Sequence, residues 1–527
     1  MMLENESDHL VGKNTIALHL NELKERITLT VYNINLALGW ASSGVEYAQL
    51  YRAESFRKIN QEAKFIFTEF FNDVNFQHFA ENIGFKDEEA IWLYQALTDM
   101  HTHATTFTLM DLEATFVHPI KNKEVQGKQI KYFFEDVDQF VTAFLCKEDK
   151  VFCAEYVTRG YLVRKDYYTD RKYFTEYFAP KDGKAEKYAR HFYNKDGSVA
   201  YEEIIQGTQS IFRINNQVLL GRLELLRYYL QSLNLTEKDI VLIDRSSKIG
   251  PTLMKYARPA KIGCVIHAEH YSSNATNGKH ILWNNYYEYL FSHHELVDFY
   301  IASTQIQSDT LQAQFKKYYG ITPKIYAIPV GNLDNLTYPT KPRRPYSLIT
   351  ASRLAGEKNI DQLILAVVDA KRHLPALNFD IYGKGGKEME LQQLILKNNA
   401  QNYIHLKGHH HLSEIYQNYE TYISASGSEG FGLTLMEAVG SGLSMVGYDV
   451  PYGNPTFIED GKNGYLIERT KNYDQEIKAI SQAIQRLFGS GELTEEVHEA
   501  SYEIAKDYLI DSVAKKWKKM IKEVLAR

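Results

Sequence analysis

Short apolar runs recur in two stretches of the chain, and between them the pattern changes. Residues 27–35 (ITLTVYNIN) read as a strand that runs into the loop Leu38-Gly39-Trp40-Ala41-Ser42-Ser43-Gly44 and then a helix from Val45. Strand, glycine-containing loop and helix in succession are how an open α/β sheet begins. From about residue 63 to 212 short alternating aromatic runs take over, such as Lys131-Tyr132-Phe133-Phe134 and Lys172-Tyr173-Phe174-Thr175-Glu176-Tyr177-Phe178. Lys181-Asp182-Gly183 and Lys195-Asp196-Gly197 punctuate them. Asp-Gly between alternating runs is a strong hairpin signal. The stretch predicts an antiparallel β-meander inserted into the first α/β domain, with a helical segment over 65–100 ahead of its main strands.

The α/β rhythm resumes at about Asn216. Helical periodicity covers 218–232, and apolar strands are predicted at 240–243, 262–267, 299–302 and 325–330. Pro339-Thr340-Lys341-Pro342-Arg343-Arg344-Pro345 has linker chemistry. A second series of strands follows at 347–351, 379–382, 403–406, 421–424 and 444–448, and charged amphipathic helices close the chain beyond about Thr494. The predicted fold class is therefore α/β. Two Rossmann-like, doubly wound domains (26–62 with 213–340, and 341–505) face a cleft. The insert is 63–212, 1–25 is a tail and 506–527 a terminal helix. Ligands bind at the carboxyl ends of parallel strands, so the cleft is the expected site.

Composition narrows the function classes. The 527 residues exceed what one core organises. The 38 Tyr and 26 Phe agree with a half-buried β-rich region and with binding faces. A formal net charge of −6 argues against a dominant nucleic-acid role. Cys146, Cys153 and Cys264 have neither metal-ligand spacing nor a disulfide framework, which reads as reduced thiols in a cytoplasmic protein. Residues 1–13 are polar and acidic, unlike a signal peptide. No apolar run of about 18 residues predicts a transmembrane helix, which leaves peripheral contact with a membrane face open.

The strongest chemical signal is Ser428-Glu429-Gly430-Phe431-Gly432-Leu433-Thr434-Leu435-Met436-Glu437. Two glutamates bracket a small-residue loop that opens a helix. Glycines let a backbone approach a ligand, and a helix N-terminus offers unpaired N–H groups to an anion. Eight helical residues advance about 12 Å, so the two carboxylates can address two ends of one elongated ligand. The second signal, Ala351-Ser352-Arg353-Leu354-Ala355-Gly356-Glu357-Lys358-Asn359, directly follows a buried strand. Arg353 and Lys358 supply a forked contact and a point charge suited to a diphosphate, although a solvated loop is the common setting for such a pair. Asp136-Val137-Asp138 lies within the aromatic insert and reads as an exposed strand. His409-His410-His411 are consecutive and point in different directions, which does not suit a metal site.

Arg353…Lys358 followed by Glu429-x7-Glu437 resembles family 4 of the GT-B glycosyltransferases. Ile381-Tyr382-Gly383-Lys384-Gly385 and Gly408-His409 sit where that family has its Gly-rich strand end and base-contacting loop. Tyr32-Asn33-Ile34-Asn35, Trp40-Ala41-Ser42-Ser43-Gly44-Val45-Glu46-Tyr47-Ala48 and Pro451-Tyr452-Gly453-Asn454, together with the insert, are similar to the transferases that attach the first N-acetylglucosamine to serine-rich repeat adhesins. They are also similar to a wall-teichoic-acid transferase with the same insert. The resemblance implies a retaining, metal-independent enzyme. Its donor would be UDP-GlcNAc or UDP-glucose, its acceptor a Ser/Thr-rich polypeptide or a teichoic-acid polymer, and it would work with a GtfB-like partner subunit. A non-catalytic acceptor-binding subunit is the competing class, but such a subunit is expected to have lost the charged site residues that this chain retains.

The resemblance also implies residue roles. Arg353 and Lys358 neutralise the donor diphosphate, and the N–H groups of Gly432, Leu433 and Thr434 add to that binding. Glu437 accepts from the ribose hydroxyls and Glu429 contacts the donor sugar. Ser43 and Gly44 close on the phosphates, Tyr382, Gly383 and His409 lie at the base, and His267, in Val265-Ile266-His267-Ala268-Glu269-His270, lies near the anomeric carbon. The chain departs from the family pattern in having Ala37-Leu38 where the first loop usually carries another glycine, and in its tail of about 25 residues.

Overall fold

The computed structural model describes residues 29–37, 44–470, 472–489 and 491–526. The tail over 1–25 and the loop over 38–43, Ser43 included, lie outside the described residues. The chain forms two compact units. One holds the described residues up to 37 with Asn60–Ile243 and Pro251–Ile262; the other holds residues 44–59, Asp244–Gly250 and the described residues from Gly263 onwards.

In the first unit four parallel strands lie in the order Ile240–Ile243, Val31–Asn35, Ala63–Phe67, Ala90–Trp92. Every residue of Val31–Asn35 and Ile240–Ile243 is buried, as parallel strands covered on both faces require. The sequence reading placed residues 63–92 in the insert and expected helix over 65–100. Instead Ala63–Phe67 and Ala90–Trp92 extend the parallel sheet, and Phe76–Ile83 is the helix between them. A five-residue apolar run is too short for its period to separate strand from helix.

The insert itself is a ten-stranded antiparallel meander, running strand by strand from Ile120–Gln126 to Gln217–Leu220. At the Asp182-Gly183 turn both residues have positive φ, 50° and 74°, the type I′ geometry that matches the twist of the flanking strands. Asp136, expected in a strand, lies at φ 57° between Gln129–Phe134 and Gln139–Lys147, so Asp136-Val137-Asp138 is a turn. The aromatic runs form the core: Phe192 stacks on Tyr201 at 4.4 Å and Tyr167 on Phe174 at 4.1 Å. The predicted helix over 218–232 begins only at Arg222. Gln217–Leu220 is the last strand of the meander, and Gly221 separates the two.

In the second unit residues 263–266 of the strand Lys261–Ile266 run parallel to Phe299–Ala302, and Phe299–Ala302 to Ile325–Ala327. A six-stranded parallel sheet follows in the order Ile404–Gly408, Asn378–Tyr382, Ser347–Ala351, Thr421–Ser424, Ser444–Tyr448, Gly464–Ile467. Ser347–Ala351 has Asn378–Tyr382 on one side and Thr421–Ser424 on the other, so the strand order reverses there. Such a switch point opens a crevice at the carboxyl ends of its strands, and the loops carrying Arg353, Lys358 and Glu429 leave from those ends. The closing helix Ile510–Leu525 sets Trp517 edge-on to Phe56 of Gly44–Lys58, with Arg52 over the indole ring. No helix among the described residues is long and apolar enough to cross a membrane.

Candidate active site

The loop after Ser347–Ala351 lies backbone to backbone on the loop after Asn378–Tyr382. Ser352 N donates to Tyr382 O at 3.1 Å and Leu354 N to Lys384 O at 3.0 Å. Only glycine permits this approach: a Cβ on Gly383, whose φ is +133°, would stand 1.8 Å from Ser352 O. Asn359 then anchors the loop, its Nδ2 donating 2.8 Å to Ala425 O beyond Thr421–Ser424. The two cations fare differently. Lys358 is largely buried and its Nζ donates 2.6 Å to Glu429 Oε2. Arg353 is 78% exposed and pairs with Glu357 at 2.9 Å, a surface contact that holds it weakly.

Glu429 is fixed by its main chain, which donates to Pro451 O at 3.2 Å and accepts from Tyr452 N and Gly453 N at 2.6 and 2.7 Å. Gly432, at φ 88°, precedes the helix Leu433–Gly440 and provides no side-chain cap, so the helix opens with N–H groups available to an anion. Lys358, Glu429 and Thr434 line one small cavity with Thr350, Tyr422 and Ser426. Glu437, further along the helix, accepts 3.1 Å from Tyr416 Oη. Burial pushes its carboxyl up to about 7, and the Tyr416 bond offsets only part of that.

His267 follows Lys261–Ile266, and its backbone lies against the glutamate loop. A Cβ on Gly430 would stand 2.7 Å from His267 O. Ser428 Oγ donates 3.0 Å to Glu269 Oε2, and Tyr452 Oη bonds His270 Nδ1 at 3.2 Å. The imidazole of His267 has a partner that the sequence reading missed: its Nε2 lies 2.6 Å from Asp244 Oδ1. Asp244 is fully buried and also accepts from Arg52 at 2.6 and 3.1 Å and from Gln49 at 2.7 Å. Burial alone would raise its pKa, but the Arg52 charge and the His267 bond outweigh that and hold the carboxyl well below the usual range. The available signal was a lone acid directly after the apolar strand Ile240–Ile243.

Tyr382 ends its strand buried, its Oη 3.0 Å from Tyr419 Oη, and Tyr419 donates 2.5 Å to Asp380. His410 sets its ring edge-on to Tyr382, while His409 is exposed. Gly44 opens the helix Gly44–Lys58. No group of three His, Cys, Asp or Glu among the described residues gathers to hold a metal ion.

A half-buried lysine, an exposed arginine held only by a surface pair and an uncapped helix N-terminus suit an elongated diphosphate, with carboxylates on either side for hydroxyl groups. Residues 121–216 match the family model described as the GtfA extended beta-sheet domain, and residues 338–503 match glycosyl transferases group 1. The UDP-N-acetylglucosamine--peptide N-acetylglucosaminyltransferase GtfA subunit of Streptococcus gordonii is 50% identical over 501 residues, covering 94% of this chain and 99% of that one. The crystal structure of the pneumococcal O-GlcNAc transferase GtfA in complex with UDP and GlcNAc superposes with a TM-score of 0.89 at 48% identity, covering 95% of this chain and 100% of that one. A GtfA/B complex gives 0.91 at 50% identity, covering 94% and 100%.

Proposed function

We propose a specific transfer reaction for this chain, which belongs to the GtfA family of glycosyltransferases. It moves N-acetylglucosamine from UDP-N-acetylglucosamine to Ser/Thr hydroxyls of a serine-rich repeat polypeptide, with retention of the donor's α configuration. The observation that carries this reading is the meeting of Lys358, Glu429 and the uncapped helix at Leu433 around one cavity.

The acceptor oxygen bonds the anomeric carbon as the bond to the β-phosphate oxygen breaks. The hydroxyl proton passes to the departing diphosphate, and UDP leaves. A double displacement needs two carboxylates about 5 Å apart across the anomeric carbon. Glu429 is instead tied to Lys358 in the loop ahead of the helix, not on it as an eight-residue helical spacing would have it, and Glu437 sits one turn into Leu433–Gly440 on Tyr416. Attack on the same face as the leaving group fits this arrangement better. Lys358, Arg353 after it releases Glu357, and the helix N–H groups stabilise the leaving diphosphate without requiring a metal. Glu437 takes the ribose, Tyr382, Gly383 and His409 the base side, and Ser43 and Gly44 the phosphates.

A relative was solved as a GtfA/B complex. A disordered repeat polypeptide has little surface to bury against one enzyme, so a GtfB-like partner that also holds acceptor raises the local concentration of hydroxyls. We assign the insert to acceptor or partner contact, and the protein to the cytoplasm. Incubation with labelled UDP-N-acetylglucosamine and a serine-rich polypeptide, with and without the partner and in excess EDTA, tests the reading. Transfer that survives EDTA and rises with partner supports it. Transfer only to a teichoic-acid polymer removes the adhesin acceptor, and loss of UDP binding in EDTA removes metal independence.

A further inference from the structure

Asp244, in the second unit, is a heavily bonded buried carboxylate for which neither the motif roles nor the proposed transfer has a use. It has no exposed surface, yet three side chains from two segments converge on it: Gln49 and Arg52 from the helix Gly44–Lys58, and His267 from the end of Lys261–Ile266. Burying a carboxylate is costly unless it is paired and fully bonded, and here both oxygens are occupied. Oδ2 takes Gln49 and one Arg52 nitrogen, while Oδ1 takes the other Arg52 nitrogen and His267.

The consequence falls on His267. An ionised carboxylate only accepts, so Nε2 must carry a proton and donate it. Nδ1 then stands buried with no hydrogen-bond partner among the described residues. A donor at Nδ1 would find no acceptor among the described residues. The contacts therefore favour the Nε2–H tautomer, whose Nδ1 lone pair is open to a donor. The same residue's carbonyl lies against Gly430 of the glutamate loop, which brings this nitrogen's residue to the donor-sugar side of the site.

We infer that Asp244, clamped by Arg52 and Gln49, is a positioning residue that fixes His267 in the Nε2–H tautomer, so that Nδ1 accepts a hydrogen bond from a substrate hydroxyl during transfer. The inference rests on the placement of His267 at the donor sugar proposed above. The hydroxyl belongs either to the donor sugar or to the acceptor. Asp244→Asn presents an amide in place of the carboxylate, removing the bias that selects the tautomer.

The test is a cycle of Asp244→Asn, His267→Ala and the double variant, read as kcat and KM for transfer, as donor hydrolysis and as UDP affinity by calorimetry. Asp244→Asn is expected to lower kcat about 10–100-fold, as loss of an orienting partner does, with UDP affinity within about threefold of the unsubstituted protein. In the His267→Ala background the same substitution is expected to change kcat by less than about threefold, because groups that act as one unit are non-additive. Slowed hydrolysis together with transfer assigns the hydroxyl to the donor sugar. Slowed transfer alone assigns it to the acceptor, and either outcome supports the inference.

Equal losses in both backgrounds overturn it and leave Asp244 a structural pair for Arg52. Full activity in His267→Ala instead overturns the placement of His267. Should Asp244→Asn fail to fold, Arg52→Gln/Asp244→Asn keeps the buried pair neutral and enters the same cycle. Failure of that chain to fold as well also overturns the positioning role in favour of a structural one.

Discussion

Two glutamates, one in each unit, are treated in opposite ways. Glu176, in the meander, is 1% exposed and accepts from Lys187 at 2.6 Å, Arg190 at 2.9 Å, Asn72 at 2.9 Å and Tyr167 at 3.0 Å. Burial would raise its pKa, but Arg190 and Lys187 outweigh that and hold it below the usual carboxylate range. Glu437, on the helix after the glycine loop, accepts from Tyr416 alone among the described residues, and burial carries it up to about 7. The meander spends its charges on itself. The parallel-sheet unit holds a carboxylate short of partners, along with a His267 Nδ1 unpaired among the described residues and an arginine left at the surface. Charges satisfied within the fold serve stability; an under-satisfied group in a crevice is available to a ligand.

The sharpest way to break this contrast is to make the meander resemble the site. Arg190→Met removes the partner of two buried carboxylates, Glu176 at 2.9 Å and Glu203 at 2.6 Å. Breaking a buried network from one side costs about 3–5 kcal/mol. Urea unfolding should show a loss of that size, while the folded variant binds UDP as before. The acid limb should change too. The folded pKa of Glu176 is depressed, so its stabilising effect is present above the unfolded value near 4.5 and is lost as pH falls through the folded value. The loss from Arg190→Met should therefore be largest at neutral pH and shrink in acid. A variant as stable as the original would show that the meander's charges do not hold it together.

The reciprocal change is Glu437→Gln. If Glu437 accepts from the ribose, UDP and UDP-sugar affinity should both fall by about 1.5–3 kcal/mol, measured by calorimetry. Stability of the free protein should move the other way. The folded pKa, about 7, lies above the unfolded 4.5, so ionising Glu437 costs stability progressively from pH 4.5 to 7 and fully above that. Glu437→Gln should thus melt higher than the original at pH 8, and the gap should close toward pH 4.5. Unchanged UDP affinity in a folded variant would remove the ribose role. A gap that does not depend on pH would remove the titration argument.

The same contrast governs how much of the molecule could be read from its residues. The strands of the second sheet are buried apolar runs of ordinary length, and the runs at 347–351, 421–424 and 444–448 form Ser347–Ala351, Thr421–Ser424 and Ser444–Tyr448. The Asp182-Gly183 turn was legible because its backbone demands those residues. Ala63–Phe67 and Ala90–Trp92 were not, being too short to carry a period, and Gln217–Leu220 was absorbed into the helix that follows it. At the site, residues joined by local spacing, Arg353 with Lys358 and Glu429 with Glu437, stood out. The partners that tune them did not. Tyr416 on Glu437, and Asp244 with Arg52 and Gln49 behind His267, are set by tertiary packing between segments up to 195 residues apart, and no local pattern announces such a meeting.

The smallest expected effect is at Gly183, and it separates two uses of glycine. In the meander Gly183 has φ +74° and open space where a Cβ would stand, so it serves the turn and touches nothing. At Gly383 a Cβ would meet Ser352 O, so that glycine serves contact between two site loops. Gly183→Ala therefore pays only for a left-handed backbone, about 1 kcal/mol. The hairpin strands Lys172–Lys181 and Lys184–Tyr193 should keep their register, because their paired side chains, not the turn alone, fix which residues face the core. Urea unfolding should register that single kilocalorie, with UDP affinity and kcat unchanged. A loss of activity at constant UDP affinity would mean that this turn, at the tip of its hairpin, touches acceptor or partner. The insert's assignment would then narrow to that tip.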